Sequence, residues 1–440
     1  MKTVQKCEAI IKSLSQGAQA TRSLEFCNRA LQDPCPNDRD LCAMNNSDDF
    51  ERLHTAFDID DPIFAEKFEA VLDHLVAKCP VAHSTIGPGY HVFNRYKDVR
   101  RCAQDWRTFS STDGWMLNPP EGNIKILPED LDPPYHSAWR RVLNPFFTAE
   151  AVAALEDHAR DYAADLIARF ATRGHCEYVA DFAAQLPGLI LFKHILPVPV
   201  ADLPTLFHDI DLYSFGPMVD RTAAFGRVYA YLQQFLAARR AQPPRNDLVD
   251  VLLAGVENQE GEPCSWDDKV HATLDVVFGG LATTTHAMSG ATFELATHPE
   301  LRRTLRAEPS TMVTAVEETV RLYAPVVMVG RTAREAVEIG GIDLGVGDRI
   351  ALNYAAASRD PEVCAHPEKF DVRRHEVVHT AFGVGPHRCL GEHLARLEIR
   401  VAMEEFVKQI PDFELAPGTQ PIYESGQLRT MKSLRLRWRV

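Results

Sequence analysis

Apolar positions recur at helical spacing through most of the 440 residues, interrupted from Asp58 onward by short β-rich pieces. Gly89-Tyr90-His91-Val92-Phe93 reads as a strand, and residues 96–109 read as a helix. Residues 110–131 follow neither period, and an irregular stretch of that length inside a folded domain is usually functional. Helical patterning resumes over 149–171 and 220–241, then breaks at Gln242-Pro243-Pro244. Ser265-Trp266-Asp267-Asp268 opens the longest helix, predicted to run unbroken to about Ala296. At 1.5 Å per residue it would be roughly 48 Å long. Gly279 and Gly280 lie in its middle, where each costs about 1 kcal/mol relative to alanine. Such a local conflict suggests that something flat or bulky passes close to the backbone. Ser310 is predicted to cap a further helix ending at Tyr323-Ala324-Pro325, and Glu392 onward reads as another.

Composition narrows the class. The chain is 45% hydrophobic and 25% charged, ordinary for a globular protein. No run of about eighteen apolar residues occurs, so no membrane span is expected. The first residues lack an apolar segment and a small-residue cleavage site, which argues against a signal peptide. Ten scattered cysteines without a C-x-x-C pair point to reduced thiols and a cytoplasmic location. A net charge of −14 disfavours nucleic acid and anionic membranes as partners. Residues 1–47 read as a partly helical arm without catalytic duty, since Cys7, Cys27, Cys35 and Cys42 have no zinc-type spacing.

The most informative stretch is Phe382-Gly383-Val384-Gly385-Pro386-His387-Arg388-Cys389-Leu390-Gly391. Its glycines permit a tight loop, and the residues that follow form a helix. Cys389 thus sits beside a helix N-terminus, where the dipole and free N–H groups favour a thiolate. A thiolate held by a glycine loop is what a haem iron with one axial sulfur requires. Phe-Gly-x-Gly-x-His-x-Cys-x-Gly resembles the haem-binding signature of the cytochrome P450 family. The resemblance implies a mainly α fold with small β-sheets, a single haem-thiolate domain over residues 48–440, haem b as cofactor and Cys389 as iron ligand. Phe382, Gly383 and Gly391 would then form the haem-binding loop.

Other segments agree with the family pattern in the right order. His136 and Arg140 stand one helical turn apart, Arg331 lies in Gly330-Arg331-Thr332-Ala333, and the resemblance assigns them with His387 to haem anchoring. An arginine fork suits a propionate because it can bond both carboxylate oxygens. Glu318 and Arg321 match the family's buried Glu-x-x-Arg clamp, which Arg374 is expected to join. Gly279-Gly280-Leu281-Ala282-Thr283-Thr284 resembles the oxygen-binding helix, with Ala282 where an acid is usual. A hydroxyl fed by an acid is the ordinary way to deliver protons. With alanine there, the relay falls to water, Thr284, His286 or a substrate group.

Among family members the likeness is to soluble bacterial, camphor-hydroxylating types. The resemblance puts residues 110–131 in the pocket roof and residues 149–240 partly in a lid. Counted without gaps from Asp132, a tyrosine that bonds camphor is replaced by Ile124, and a leucine facing camphor by Asp275. Camphor is therefore not the expected substrate. The pocket is expected to be lined by Trp115, Ile124, Ile126, Val327, Val329 and Leu428, with Asp275 and Gln427 as polar anchors. Asp275 has a second reading, as the partner of a lid arginine.

The implied activity is monooxygenation of a small, mainly apolar, terpenoid-like substrate using dioxygen. No dinucleotide fingerprint accompanies the domain, so electrons are expected from a separate ferredoxin-type donor. Arg100, Arg101, Arg140, Arg141, Arg388, Arg396 and Arg400 either form its basic docking face or are scattered solvated arginines. A monomer is the default. Ala282-Thr283 also resembles the nitric oxide reductase branch of the family, so a nitric oxide reductase-like or peroxide-using member is the alternative activity. A non-catalytic haem protein that binds a ligand is the alternative from another class.

Overall fold

The computed structural model describes residues 50–119, 124–215, 218–424 and 426–440. The expected N-terminal arm, residues 1–47, lies outside the described residues. Helices dominate. Those that bear on the site are α1 (Pro62–Lys78), α2 (Tyr96–Gln104), α3 (Tyr135–Leu143), α4 (Glu156–Ala168), α5 (Leu203–Phe215), α6 (Met218–Arg240), α7 (Trp266–Gly280), α8 (Ala282–Thr297), α9 (Thr311–Leu322) and α10 (Glu392–Gln409). Residues 52–119 and 124–440 form one compact unit. Among the described residues no helix is long and apolar enough to cross a membrane.

One five-stranded sheet flanks the helices. Its strands are β1 (Val81–Ser84), β2 (Tyr90–Phe93), β3 (Phe109–Ser110), β4 (Met328–Ala333) and β5 (Arg349–Asn353), in the order β1-β2-β5-β4-β3. The pairing of β2 with β5 is parallel, and β4 pairs antiparallel to β5 with Arg331 opposite Ile350. Val329 and Arg331 therefore emerge on one face of β4, two residues apart. The expected helix 96–109 stops at Gln104, because the chain turns at Asp105 and enters β3 against β4. Residues 149–171 likewise divide, into Ala149–Ala153 and α4.

The predicted long helix starts where expected. The Ser265 hydroxyl accepts from Asp268 N at 3.0 Å while the Asp268 carboxylate accepts from Ser265 N at 3.0 Å, a reciprocal capping box. It is not continuous, however. Leu281 departs from helical geometry (φ −105°, ψ −74°) and separates α7 from α8. The Thr283 hydroxyl donates to Gly279 O at 2.8 Å and so satisfies a carbonyl of the interrupted ladder. Ser310 occupies the cap position of α9, but its side chain makes no capping bond.

At the end of α9 lies the strongest buried charge cluster. Glu318 is 0% exposed and accepts from Arg321 Nε at 2.6 Å, Arg374 Nε at 3.0 Å and Asp371 N at 2.9 Å. Arg321 also donates to Pro367 O at 2.7 Å and Lys369 O at 2.8 Å. Every partner that a desolvated carboxylate and guanidinium require is supplied within the protein. Removing one charge would leave the others buried and uncompensated. Glu318→Ala is expected to destabilise the fold by about 3–5 kcal/mol, read as a lowered urea midpoint. An unchanged midpoint would show that the cluster does not hold this region.

Candidate functional site

The Cys389 loop is shaped by backbone bonds. Cys389 N donates to Phe382 O at 2.7 Å, and Gly383 N donates to Thr380 O at 2.7 Å. Gly383 (φ +67°) and Gly385 (φ +76°) both occupy the left-handed region that favours glycine. A Cβ on Gly385 would lie 2.5 Å from Ala103 O, so α2 passes too close for any side chain there. Phe382 is covered by the Arg396 guanidinium, 4.4 Å from its ring centre. Gly391 caps α10 without a side-chain bond, and its carbonyl accepts from Ala395 N at 2.9 Å.

Cys389 is half-buried. Burial pushes its thiol up to about 11, while a hydrogen bond from the Gly391 backbone pulls the other way. In the free thiol the Gly391 N–H does not by itself offset burial. Metal coordination would, because a ligating thiol is deprotonated outright.

Four nitrogen-bearing side chains converge near the loop. His136 (2% exposed) and His387 lie with ring centres 4.2 Å apart and their planes tilted by 48°. Burial, then Arg331, His136 and Arg140, push His387 down to about 2; burial, then Arg140 and Arg331, push His136 down to about 4. Both rings are thus neutral donors at pH 7. His387 Nε2 is held by Ser111 Oγ at 3.0 Å, whereas buried His136 Nδ1 has no partner. Arg331, 2% exposed, donates to Gly330 O at 2.7 Å. Arg140 donates to Arg388 O at 2.7 Å and to Asn144 Oδ1 at 3.0 Å, bracing α3 against the cysteine loop. The nearest acid is Glu129, whose Oε2 lies 3.8 Å from His387 Nδ1. Two cations and an orphaned ring nitrogen fit a dianionic group such as the paired propionates of haem. His136, Arg140, Arg331 and His387 could hold those carboxylates, with Cys389 as the iron ligand.

The remaining predicted residues separate into two groups. On α7 and α8, Ala282 and Thr283 are half-buried, and a Cβ on Gly279 would meet nothing within 4 Å; Gly280 has Leu191 at 3.9 Å. Neither glycine is demanded by a protein neighbour, so the room beside them is open to a ligand. Thr284 is buried next to Glu398 of α10. Burial pushes the Glu398 carboxyl well above the usual range, and Thr284 opposes this in part. Val327 and Val329 are buried; Trp115, Ile124 and Ile126 are half-buried; Leu428 is 40% exposed.

Gln427 corrects an expectation. Its Oε1 accepts from Leu117 N at 2.8 Å, and its Nε2 donates to Trp115 O and Met328 O, both at 3.2 Å. That amide knits the roof loop to β4 and is not available as a substrate anchor. Asp275 differs: among the described residues no lid arginine forms a salt bridge with it. Burial, then repulsion from Glu129 and Asp130, push its carboxyl well above the usual range, against the pull of Arg140.

The proposed basic face is also revised. Arg388 pairs with Glu392 at 2.7 Å, Arg396 with Glu317 at 2.6 Å, and Arg400 with Glu156 at 2.6 Å. The exposed basic residues left on that side are Lys97, Arg100 and Arg101 of α2 and Arg141 of α3. The first three line a shallow concavity with Tyr96, Gln104 and Asp105.

Sequence reasoning overlooked Ser111, Glu129 and Glu398. For Glu398 a signal was present, since it falls on the apolar stripe of α10 between Leu394 and Val401. Ser111 and Glu129 gave none, because their partners are remote in sequence.

Residues 191–435 match the family model described as Cytochrome P450. The chain is 33% identical over 363 residues to probable cytochrome P450 127A1 of Sinorhizobium fredii, covering 80% of this chain and 84% of that one. It is 34% identical over 337 residues to a steroid C26-monooxygenase of Mycobacterium tuberculosis, covering 74% and 88%. The solved structure of cytochrome P450 CYP101C1 superposes with a TM-score of 0.79 at 29% identity, covering 88% of this chain and 98% of that one.

If the loop geometry holds the cofactor, Gly385→Ala should more than halve the haem-to-protein ratio of the purified protein. Gly345→Ala, where a Cβ would meet only Asp348 at 3.6 Å, should keep the full ratio. Equal haem content in both variants would remove the close approach of α2 as a requirement.

Proposed function

The chain belongs to the cytochrome P450 family, whose members carry haem with an axial cysteine thiolate, and from that premise we propose a monooxygenase that hydroxylates a small, mainly apolar substrate with electrons from a ferredoxin. The observation that carries this reading is the meeting of His136, Arg140, Arg331 and His387 beside the Cys389 loop. Bound haem supplies dioxygen activation and the oxidation of an unactivated C–H bond. Cys389 Sγ is the proposed iron ligand, and residues 48–440 the catalytic domain, with residues 1–47 a non-catalytic arm.

The chain's own residues orient substrate, exclude water and handle protons. Trp115, Ile124, Ile126, Val327, Val329 and Leu428 supply apolar surface. Gly279 and Gly280 leave space against the α7–α8 break for a small bound molecule. Thr283 Oγ1 can release its bond to Gly279 O and donate a proton toward that space. Thr284, beside the buried carboxyl of Glu398, is a second hydroxyl that can be resupplied. Lys97, Arg100, Arg101 and Arg141 offer the positive face on which an acidic ferredoxin docks with a monomer. The steroid C26-monooxygenase relative makes a bulky alicyclic substrate a sensible starting probe.

The direct test titrates the ferric protein with terpenoids, aromatics, steroids and fatty acids, then adds a ferredoxin and its reductase. A ligand that displaces iron-bound water should shift the spin state and yield a hydroxylated product. Spin shifts without product from any donor would favour the ligand-binding alternative. Ala282 supports a second reading, reduction of nitric oxide with NADH; turnover of that pair without a ferredoxin would establish it over hydroxylation.

Ala282→Asp restores a carboxyl beside Thr283. In a monooxygenase it should raise product formed per reducing equivalent by about twofold or more, since a positioned acid speeds proton delivery. Coupling equal to the parent's would mean that protons arrive by a route independent of this position.

A further inference from the structure

Two acidic side chains, Asp275 and Glu129, stand near each other where an apolar substrate calls for none. Asp275 projects from α7 one turn before Phe278 and Gly279, so all three share a helix face. Glu129 lies on the roof segment, with 43% of its side chain open and its oxygen near His387. The two carboxylates are close enough for Glu129 to raise the energy of an ionised Asp275. Asp130 is a different case, because its oxygens accept from Trp115 N at 2.8 Å and Ile126 N at 2.9 Å and brace the loop.

The cations nearby do not resolve this imbalance. Arg140 and Arg331 are the side chains proposed to face the haem propionates, so cofactor binding takes up the positive charge that opposes these acids. Arg221 is held by Glu424 at 2.7 Å. With Arg140 and Arg331 engaged by the cofactor, no described residue forms an ion pair with Asp275, and burial favours its neutral form until a cation arrives.

A second feature points the same way. Phe278, Tyr213 of α5 and Phe225 of α6 form a partly open aromatic cluster. Tyr213 and Phe278 ring centres are 4.6 Å apart, Tyr213 and Phe225 5.6 Å, and Phe225 stacks on Phe278 at 5.7 Å with 12° between planes. Aromatic faces beside carboxylates favour an ammonium ion, through the ring quadrupole and the Coulomb attraction together. An uncharged hydrocarbon gains nothing from the carboxylates, and an anion is repelled.

We propose that this pocket selects substrates bearing a cationic nitrogen on an otherwise apolar body, seated between the Asp275 and Glu129 carboxylates and the faces of Tyr213, Phe225 and Phe278. The assignment rests on the cytochrome P450 reading of the site and specifies its substrate class. The positive nitrogen replaces the missing counter-charge, while the apolar remainder packs on Val327, Val329 and Trp115.

The test uses the haem-loaded protein and three ligands with one hydrocarbon body: 1-adamantyltrimethylammonium, 1-adamantanemethanol and 1-adamantanecarboxylate. A quaternary nitrogen has no lone pair and cannot ligate iron, so its affinity reports the pocket. Binding is followed by calorimetry and by the ferric spin shift. The cation should bind at least about tenfold more tightly than the alcohol, and the carboxylate most weakly. Asp275→Asn and Glu129→Gln should each weaken the cation by about tenfold and leave the alcohol within about threefold. A cation no tighter than the alcohol, equal losses for both ligands in the variants, or no binding of the cation overturns the proposal. The underlying haem-thiolate reading is checked separately by the absorption of the reduced carbon monoxide complex. A thiolate-type spectrum with no cation preference would sink the substrate class alone; its absence would sink the reading beneath it.

Discussion

A carboxylate with no access to water anchors the part of the molecule on which the chemistry depends. Glu318 is satisfied by two arginines and a backbone N–H, and Arg321 carries the connection onward to carbonyls of residues 358–369. From there Ser358 Oγ accepts from Thr380 N at 3.1 Å, and Thr380 Oγ1 donates to Tyr354 O at 3.0 Å. Gly383 then hangs from Thr380, and Cys389 closes on Phe382. The cysteine loop is thus the last link of a continuous polar chain that starts inside the core. Buried polar chains of this kind contribute little net energy when complete, but any missing partner is costly, which favours one geometry over many.

The same logic separates the two ends of the pocket. On the cysteine side, polar groups are matched to each other or aligned for a dianion. On α7, the Asp275 carboxyl forms no ion pair with a described residue and lies one turn from Phe278 of the aromatic cluster. An enclosed charge needs a partner, whereas an exposed one is served by water. Dry surroundings make the difference between these ends larger, because the effective dielectric falls as the ligand and cofactor expel solvent.

Much of this was legible from residue order, and the rest was not for a physical reason. The cysteine loop, the Ser265 capping box and the Glu318–Arg321 spacing are local patterns, set by turn chemistry and helix geometry over a few residues. The break at Leu281 is different, because Gly279 and Gly280 allow either a straight helix or a kink. Gln427 looked like a pocket anchor from its neighbours, but its partners Leu117, Trp115 and Met328 lie far away in the chain. Arg396 and Arg400 likewise read as a docking face until Glu317 and Glu156 arrive from other helices. Long-range polar pairing leaves no period in the sequence.

That distinction bears on how substrate preference arises in a fold with a fixed oxidant. The groups proposed to hold the cofactor are constrained by their mutual contacts, so His387 cannot change without disturbing Ser111 and His136. Asp275 forms no ion pair among the described residues and stands on α7, whose backbone is secured by its own ladder and cap. Under the proposed substrate class, a substitution there would alter what the pocket attracts and leave the cysteine loop alone. Charge placed on that face acts over a longer range than shape does, because Coulomb attraction decays slowly where apolar contact vanishes within an ångström or so. The paired groups keep the site in place, and the proposed preference for a cationic nitrogen rests on Asp275, which no described residue pairs.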